Sequence, residues 1–182
     1  FSERRDDYAI CASSPFLREN LKLLVACDVS SKYTRRGFSE YEKMAEYIYE
    51  MAVGKQGNYM VFFPSYRMLE DIYEIFRNKT EERKFEVSCI LQNSNMTERE
   101  REEFLEAFQN NITRTLIGFC VMGGIFSEGI DLTGERLIGA AIVGTGLPQV
   151  GCEREILKNY YDEKEQNGFA YAYRYPGMNK VL

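Results

Sequence analysis

The sequence contains no histidine and no tryptophan among its 182 residues. Histidine is the most common general acid–base group and also the most common metal ligand, so neither role can be filled by it here. The five cysteines are spread along the chain without a C-x-x-C pair, at Cys11, Cys27, Cys89, Cys120 and Cys152. This spacing argues against a zinc site and predicts reduced thiols that are buried on apolar, strand-like segments.

The sequence also lacks the common nucleotide-binding loops. Its one Gly-Lys pair, at Gly54, has neither the upstream glycine nor the following hydroxyl of a G-x-x-x-x-G-K-[ST] phosphate loop. No G-x-G-x-x-G follows a predicted strand, and no serine or cysteine has the local context of an activated nucleophile. These absences argue against a self-contained enzyme of the common mechanisms.

Long apolar runs are missing too. The longest, residues 137–146, is strand-sized and far shorter than the ~20 residues that cross a bilayer. The charged first residues show no secretory signal, so we expect a cytoplasmic protein without membrane contact. The chain also lacks an initiator methionine and reads as a piece of a longer protein. A net charge of −5 argues against an autonomous nucleic-acid binder, but not against a domain that supplies one wall of a cleft.

Apolar runs alternate with amphipathic helical patterns along the chain. The runs predict strands at residues 21–26, 59–63, 87–91, 116–121 and 137–143. Capping boxes at residues 39–42 and 97–100 predict two helix starts, and the polar residues 77–84 predict a loop. Residues 152–168 have a charged helical pattern, and the aromatic tail after them is broken by Gly and Pro. Continuous apolar strands indicate burial on both faces, so we expect an α/β fold with a parallel sheet of about five or six strands between helices.

Ligands of such sheets bind beyond the carboxyl ends of the strands, which directs attention to the glycine-rich segment 123–134. Its glycines permit close approach of the backbone to a ligand, Ser127 offers a hydroxyl, and Glu128 and Asp131 offer carboxylates. From the residues alone, two interpretations stay open. The segment is either a phosphate or ribose contact, or an ordinary strand connection with Asp131 as a turn residue.

The string Phe-Ser-Glu-Gly-Ile-Asp-Leu at residues 126–132 resembles motif V of the XPD/DinG branch of superfamily 2 helicases. The strand ending in Phe-Pro-Ser-Tyr at residues 63–66 resembles motif IV, which alone is a weaker signal. Further matches are Gln92, Leu-Pro at residues 147–148 and Ser-Pro-Phe at residues 14–16. The resemblance spans nearly the whole chain and implies the second RecA-like motor domain of an ATP-dependent DNA helicase.

The resemblance implies roles in nucleotide coupling and in DNA binding. Glu128, Gly129 and Asp131 would couple the nucleotide state to the grip on DNA, with Asp131 nearest the nucleotide. Ser127 would approach a DNA phosphate.

Motif IV would contribute to the same single-stranded DNA track through the Ser65 hydroxyl and the Tyr66 ring. Arg36 lies in a basic and aromatic cluster, residues 32–36, which is either a solvated loop or a DNA-facing edge.

One departure from the family concerns motif VI. Residues 173–178, Tyr-Arg-Tyr-Pro-Gly-Met, lead up to this motif, but the motif with its arginine finger does not follow. Residues 1–182 are thus expected to form one domain, with 1–20 as an inter-domain junction and 150–182 as a charged helix and aromatic lead-in. ATP and Mg²⁺ would be bound mainly by the first motor domain, which would be a partner together with single-stranded DNA. The chain alone would be inactive.

Two other function classes stay open. A non-catalytic α/β interaction module would use the acidic, tyrosine-rich helices from residue 152 to bind a protein. A small-molecule enzyme of flavodoxin-like shape is disfavoured by the missing phosphate loop and histidine.

Overall fold

The computed structural model describes residues 13, 17–109, 113–127, 130–148, 150–165 and 167–181. This part of the chain contains four strands and five α-helices. In order they are α1 (Phe38–Gly54), β1 (Asn58–Phe63), α2 (Tyr66–Glu82), β2 (Val87–Leu91), α3 (Glu98–Glu106), β3 (Thr115–Val121), β4 (Gly139–Ile142), α4 (Cys152–Glu165) and α5 (Tyr175–Met178). A π-helical stretch, Ala170–Arg174, precedes α5. None of the described helices is long and apolar enough to cross a membrane.

The strands form one parallel sheet in the order β2-β3-β1-β4. Each consecutive pair is joined by a crossover, which is the connection that parallel strands require. β1 and β3 are buried along almost their whole length, as continuous apolar runs predict, whereas the edge strands β2 and β4 are only partly buried. The α/β prediction with a parallel sheet between helices is confirmed.

The predicted strand at residues 21–26 does not form, so the described sheet has four strands rather than five or six. Leu21, Leu23, Leu24 and Val25 are each more than 70% exposed. An apolar run becomes a strand only where a neighbouring backbone accepts its hydrogen bonds, and no described strand pairs with this segment.

Helices cover both faces of the sheet. α1 and α2 pack on one face, where Phe119 of β3 is fully buried. Its ring lies 5.9 Å from that of Phe63, 5.1 Å from that of Tyr73 and 5.6 Å from that of Phe76, measured between centroids. This aromatic cluster is the centre of the larger hydrophobic core.

The opposite face carries a smaller core around α3. Phe104 of α3 and Phe108 after it pack on Met60 and Cys120 of the sheet, together with Phe126 from the loop after β3. The Phe104 and Phe126 rings stack with centroids 4.2 Å apart. This contact attaches the loop to the body of the domain.

The predicted loop at residues 77–84 is wrong, because α2 continues to Glu82. Lys79 on the added turns and Arg83 just beyond them bind the carboxylate of Glu46 on α1. The hydrogen bond from Arg83, and after it the one from Lys79, hold the pKa of Glu46 below its usual value. The Arg83 guanidinium also lies 4.5 Å from the centroid of the Tyr49 ring. Cations at a helix C-terminus interact favourably with the helix dipole, so tertiary contacts and local electrostatics both extend the helix.

Of the two predicted capping boxes, only one forms. Thr97 and Glu100 cap α3 reciprocally. α1 begins at Phe38 instead, after Gly37, without a side-chain cap. Ser39 therefore lies inside the helix, and the second predicted box, Ser39 with Glu42, does not form. Glu40 accepts a hydrogen bond from the Ser30 backbone N–H at 2.8 Å and pairs with Arg35, so the start of α1 is tied to the preceding loop.

The prediction of buried thiols is confirmed for Cys120 and in part for Cys89, which is half-buried. Burial raises the pKa of Cys89 and of Cys120 to about 12. Cys27 and Cys152 are exposed, so the prediction is wrong for them. Cys11 lies outside the described residues.

The aromatic tail is helical rather than broken. It packs back on α4, where the rings of Tyr161 and Tyr171 stack 4.2 Å apart and the Tyr173 hydroxyl donates to Glu155 at 2.6 Å. Pro176 stands in the first turn of α5, where a missing N–H costs little.

Candidate functional site

The loops that follow the four parallel strands meet at one edge of the sheet. Phe63 of β1 is in register with Val121 of β3, and Phe62 with Ile142 of β4. Since the strands are parallel, their carboxyl ends lie side by side, as the sequence predicts. We call this edge, with the loops after the four strands, the carboxyl edge.

Ser65 and Tyr66 occupy the carboxyl edge directly after β1. Ser65 caps α2, and its Oγ accepts a hydrogen bond from the Met68 N–H at 3.4 Å. A capping hydroxyl can still donate its own hydrogen to a ligand. Both side chains are half-buried, so each has one side open to solvent.

Gln92, directly after β2, connects the loops of three strands. Its side chain is almost fully buried, and its Nε2 donates to the Tyr66 hydroxyl at 3.0 Å. Its Oε1 accepts from the Val121 N–H at the end of β3 at 2.9 Å. The Tyr66 hydroxyl in turn donates to the Asn93 carbonyl at 3.4 Å. Sequence reasoning noted Gln92 only as a family match, and its bridging role is visible only in three dimensions.

The glycine-rich loop after β3 turns sharply against Gln92. Gly123 has a φ of +70°, which side chains rarely adopt. A Cβ on Gly124 would lie only 2.7 Å from Nε2 of Gln92, so only glycine fits there. The half-buried Ser127 follows the buried Phe126, and its hydroxyl donates to the Val121 carbonyl at 3.4 Å. The loop therefore presents Ser127 beside the carboxyl edge.

Of the three predicted coupling residues, Glu128 and Gly129 lie outside the described residues. Asp131 is exposed, and its backbone carbonyl accepts from Arg136 at 3.4 Å. Across the described residues, its carboxylate has no hydrogen bond or ion pair. Arg136 also donates to the Phe108 carbonyl after α3, so Asp131 belongs to the part of the connection that returns towards β4. Within the described residues, no hydrogen bond joins Asp131 to Ser65, Tyr66 or Ser127.

Arg36 reaches the carboxyl edge through the loop before α1. Its Nε donates to the Ser31 carbonyl at 3.0 Å, and its guanidinium lies 5.7 Å from the centroid of the Tyr33 ring. The Ser31 side chain fills the space that a Cβ on Gly144, just after β4, would need. The exposed basic and aromatic cluster thus lies near the end of β4.

Lys180 is a site residue that sequence reasoning missed. Its side chain passes over Gly123 and Gly146, and it lines a cavity of about 160 Å³ at the carboxyl edge. The other lining residues are Phe62, Met122, Ser127, Ile142 and Val181. No sequence pattern indicates this placement, because it depends on the aromatic tail folding back onto the sheet.

A larger cavity, of about 420 Å³, lies by the starts of β2 and β3, where Val87 and Arg114 line it. None of the predicted site residues lines it. This cavity therefore lies away from the carboxyl edge, where Ser65, Tyr66 and Ser127 lie.

The described residues of the carboxyl edge offer hydrogen-bond donors and cations. Ser65 and Ser127 supply hydroxyls, and Lys180 and Arg36 supply positive charge. Cys120 at the end of β3 is no nucleophile, since burial raises the pKa of its thiol to about 12. In the described part of the chain, no three His, Cys, Asp or Glu side chains cluster to hold a metal ion. This arrangement is suited to holding an anionic ligand.

Comparison with known proteins finds a family whose model matches most of the chain. Residues 48–182 match the family model described as "Helicase C-terminal domain". A probable ATP-dependent helicase of Methanocaldococcus jannaschii is 26% identical over 137 residues, which are 74% of this chain and 20% of that protein. This chain therefore spans about a fifth of the length of the curated relative.

Two solved structures share the fold. An apo structure of XPD has a TM-score of 0.63 at 18% identity, over 85% of this chain and 30% of that one. A structure of XPD helicase has a TM-score of 0.63 at 21% identity, over 85% of this chain and 26% of that one. At these identities the likeness concerns the fold.

Proposed function

Because this chain belongs to the helicase C-terminal domain family, we propose that it is the second motor domain of an ATP-dependent DNA helicase of the DinG/XPD type. The observation that carries the proposal is the meeting of Ser65, Tyr66 and Ser127 at one sheet edge, with Lys180 and Arg36 nearby. Donors and cations of this kind suit the phosphates of a nucleic acid. The activity would belong to the longer protein of which this chain forms a part.

In this proposal the ATP site is shared between two motor domains. ATP with Mg²⁺, held mainly by the first RecA-like domain, would supply the free energy of phosphoanhydride hydrolysis. This chain would contribute Asp131, with Glu128 and Gly129, from the opposite wall. Because the sequence has no histidine and the first motor domain would hold most of the nucleotide, we expect the chain alone to be inactive.

The single-stranded DNA track would run along the carboxyl edge. Ser65 and Ser127 would donate to phosphate oxygens, and Arg36 would add a cation at the β4 side. The Tyr66 ring would stack on a base. Its hydroxyl is held by Gln92, which limits the orientations open to the ring.

The proposal extends to the organisation of the chain. Residues 1–182 would form a single domain, with 1–20 as the junction to the first motor domain. Residues 150–182 would lead into motif VI. A cytoplasmic location is part of the same proposal.

The test is ATP hydrolysis with and without single-stranded DNA, measured for this chain and for the full-length protein side by side. We expect no hydrolysis by the chain alone and DNA-stimulated hydrolysis by the full-length protein. A full-length protein that ignores DNA would instead support the interaction module that binds a protein through the helices from residue 152.

Asp131→Ala in the full-length protein should lower DNA-stimulated ATP hydrolysis and leave folding almost unchanged. The side chain is exposed and has no described partner, so its loss should change stability by no more than about 0.5 kcal/mol. The readouts are the hydrolysis rate and the melting temperature. A clear fall in melting temperature with normal hydrolysis would show that Asp131 is only a structural turn residue.

Tyr66→Ala should weaken binding of single-stranded DNA by about 1–3 kcal/mol, the usual contribution of a base–aromatic stack. Tyr66→Phe keeps the ring and loses only the hydrogen bonds of the hydroxyl to Gln92 and to the Asn93 carbonyl, so its affinity should stay close to that of the unsubstituted protein. Fluorescence anisotropy with a labelled oligonucleotide measures both.

Tyr160→Ala is a matched control. Tyr160 is half-exposed and lies on α4, which is not one of the strand-end loops that form the carboxyl edge. Equal affinities for Tyr66→Ala and Tyr160→Ala across salt concentrations would remove Tyr66 from the track.

A further inference from the structure

The turns after β3 and β4 leave a space that a lysine side chain crosses. A Cβ on Gly146 would lie 3.0 Å from Cδ of Lys180, and a Cβ on Gly123 would lie 3.7 Å from Cδ and Cε and 3.8 Å from Nζ. Any larger residue at Gly146 would therefore push the lysine away. Two glycines thus let the lysine stem lie against both turns and bring its ammonium group next to the loop after β3.

The backbone around Lys180 is held in place. Gly177 packs so closely on Leu147 that a Cβ there would lie 2.7 Å from Cδ2 of that leucine. The Val181 N–H donates to the Met178 carbonyl at 2.8 Å, and Val181 lines the 160 Å³ cavity. These contacts attach α5 to the loop after β4 and the segment after α5 to that helix, so packing and local hydrogen bonding set the position of Lys180.

The charge of Lys180 is not balanced by a described neighbour. Eight ion pairs are found within the described ranges, and none includes Lys180. The side chain is exposed, so its ammonium group is open to a ligand from solvent. This sets Lys180 apart from Lys79 and Lys158, whose ammonium groups bind carboxylates.

The cavity beneath Lys180 combines donors with an apolar floor. Ser127 lines it with its hydroxyl, while Phe62, Met122 and Ile142 form the floor. The ammonium group donates hydrogen bonds, as the oxygens of a phosphate require, and the Ser127 hydroxyl would do so by turning its hydrogen from the Val121 carbonyl, 3.4 Å away, to the ligand. An apolar floor lowers the local dielectric constant and so strengthens the attraction between the ammonium group and an anion.

We propose that Lys180 and Ser127 form a phosphate-binding site over the glycine turns after β3 and β4. This site rests on the proposed helicase function and adds to it a residue from outside the strand-end loops. The phosphate would come from the nucleic-acid backbone or from the nucleotide, since the chemistry of recognition is the same for both.

The experiment compares Lys180→Ala, Lys180→Arg and the control Lys164→Ala in the full-length protein. Lys164 is an exposed lysine on α4 near Tyr160 and makes no described ion pair either. One arm measures anisotropy of a labelled oligothymidylate at several salt concentrations without nucleotide. The other arm measures binding of a fluorescent ATP derivative without DNA.

If the phosphate belongs to DNA, Lys180→Ala should weaken oligothymidylate binding roughly two- to fivefold at low salt. It should also reduce the slope of log affinity against log salt by about 0.7, which corresponds to one phosphate contact on a single strand. Lys180→Arg should restore most of the affinity, and Lys164→Ala should have no effect. If the phosphate belongs to the nucleotide, the same pattern should occur in the ATP arm only.

A double substitution tests whether the two residues share one ligand. Ser127→Ala combined with Lys180→Ala should cost less than the sum of the two single effects, as expected for residues that bind the same group. Unchanged binding by Lys180→Ala in both arms would overturn the Lys180 site and leave the helicase proposal standing. No binding of either ligand by the unsubstituted protein would overturn the helicase proposal itself.

Discussion

Replacement of Phe119 by alanine is expected to lower the free energy of unfolding by about 3–5 kcal/mol. Phe119 is fully buried in the middle of the sheet, and its ring contacts those of Phe63, Tyr73 and Phe76. Removal of the ring would leave a cavity between the sheet and α2, which rigid strands cannot close by collapsing. Urea unfolding followed by circular dichroism measures the loss.

Phe38→Ala is the matched control for this prediction. The same atoms are deleted, but Phe38 is 71% exposed at the start of α1. The expected change is within about 0.5 kcal/mol, as for most surface substitutions. Similar effects of the two substitutions would contradict the packing of the aromatic cluster around Phe119.

Replacement of Gln92 by alanine is expected to cost about 1–3 kcal/mol of stability, because buried hydrogen-bonding groups would lose their partner. The Val121 N–H loses its acceptor and the Tyr66 hydroxyl loses a donor. If the proposed DNA track is correct, single-strand affinity should stay close to that of the unsubstituted protein, as for Tyr66→Phe, because the Tyr66 ring itself is retained. Urea unfolding and anisotropy with a labelled oligonucleotide give the two readouts.

Gln92→Leu separates the hydrogen bonds from the volume of the side chain. Leucine fills much of the same space but accepts nothing from Val121, so we expect it to be destabilising too. Gln109→Ala is the control, because Gln109 is exposed after α3 and should tolerate the change. Full stability of Gln92→Leu would show that Gln92 contributes packing alone.

The fold class could be predicted because burial on both faces leaves a pattern in the sequence. The continuous apolar runs of β1 and β3 correspond to central strands with nearly every residue buried. The run at residues 21–26 is also apolar, but its leucines and its valine are exposed. An apolar composition makes a strand possible, but a strand forms only where a second backbone is close enough to pair with its N–H and C=O groups.

Local signals succeeded where the interaction itself is local. The capping box of α3 needs only Thr97 and Glu100, three residues apart, and it forms. The pattern at residues 39–42 is equally good, but α1 already begins at Phe38, so Ser39 lies inside the helix and cannot be its N-cap. Glu40 binds Ser30 and Arg35, so this helix start is also in contact with the preceding loop, and a local pattern does not contain those contacts.

By itself, the sequence determined that the chain has a parallel α/β fold and which strand-end segments share an edge. Both follow from hydrophobic periodicity and from the rule that parallel strands end on the same side of a sheet. Only the tertiary structure decided how the carboxyl edge is assembled: Gln92 bridges two loops, and Lys180 returns from the far end of the chain to lie on Gly123 and Gly146. Contacts between residues about 30 to 60 positions apart depend on packing geometry, and a local pattern in one sequence does not carry that geometry.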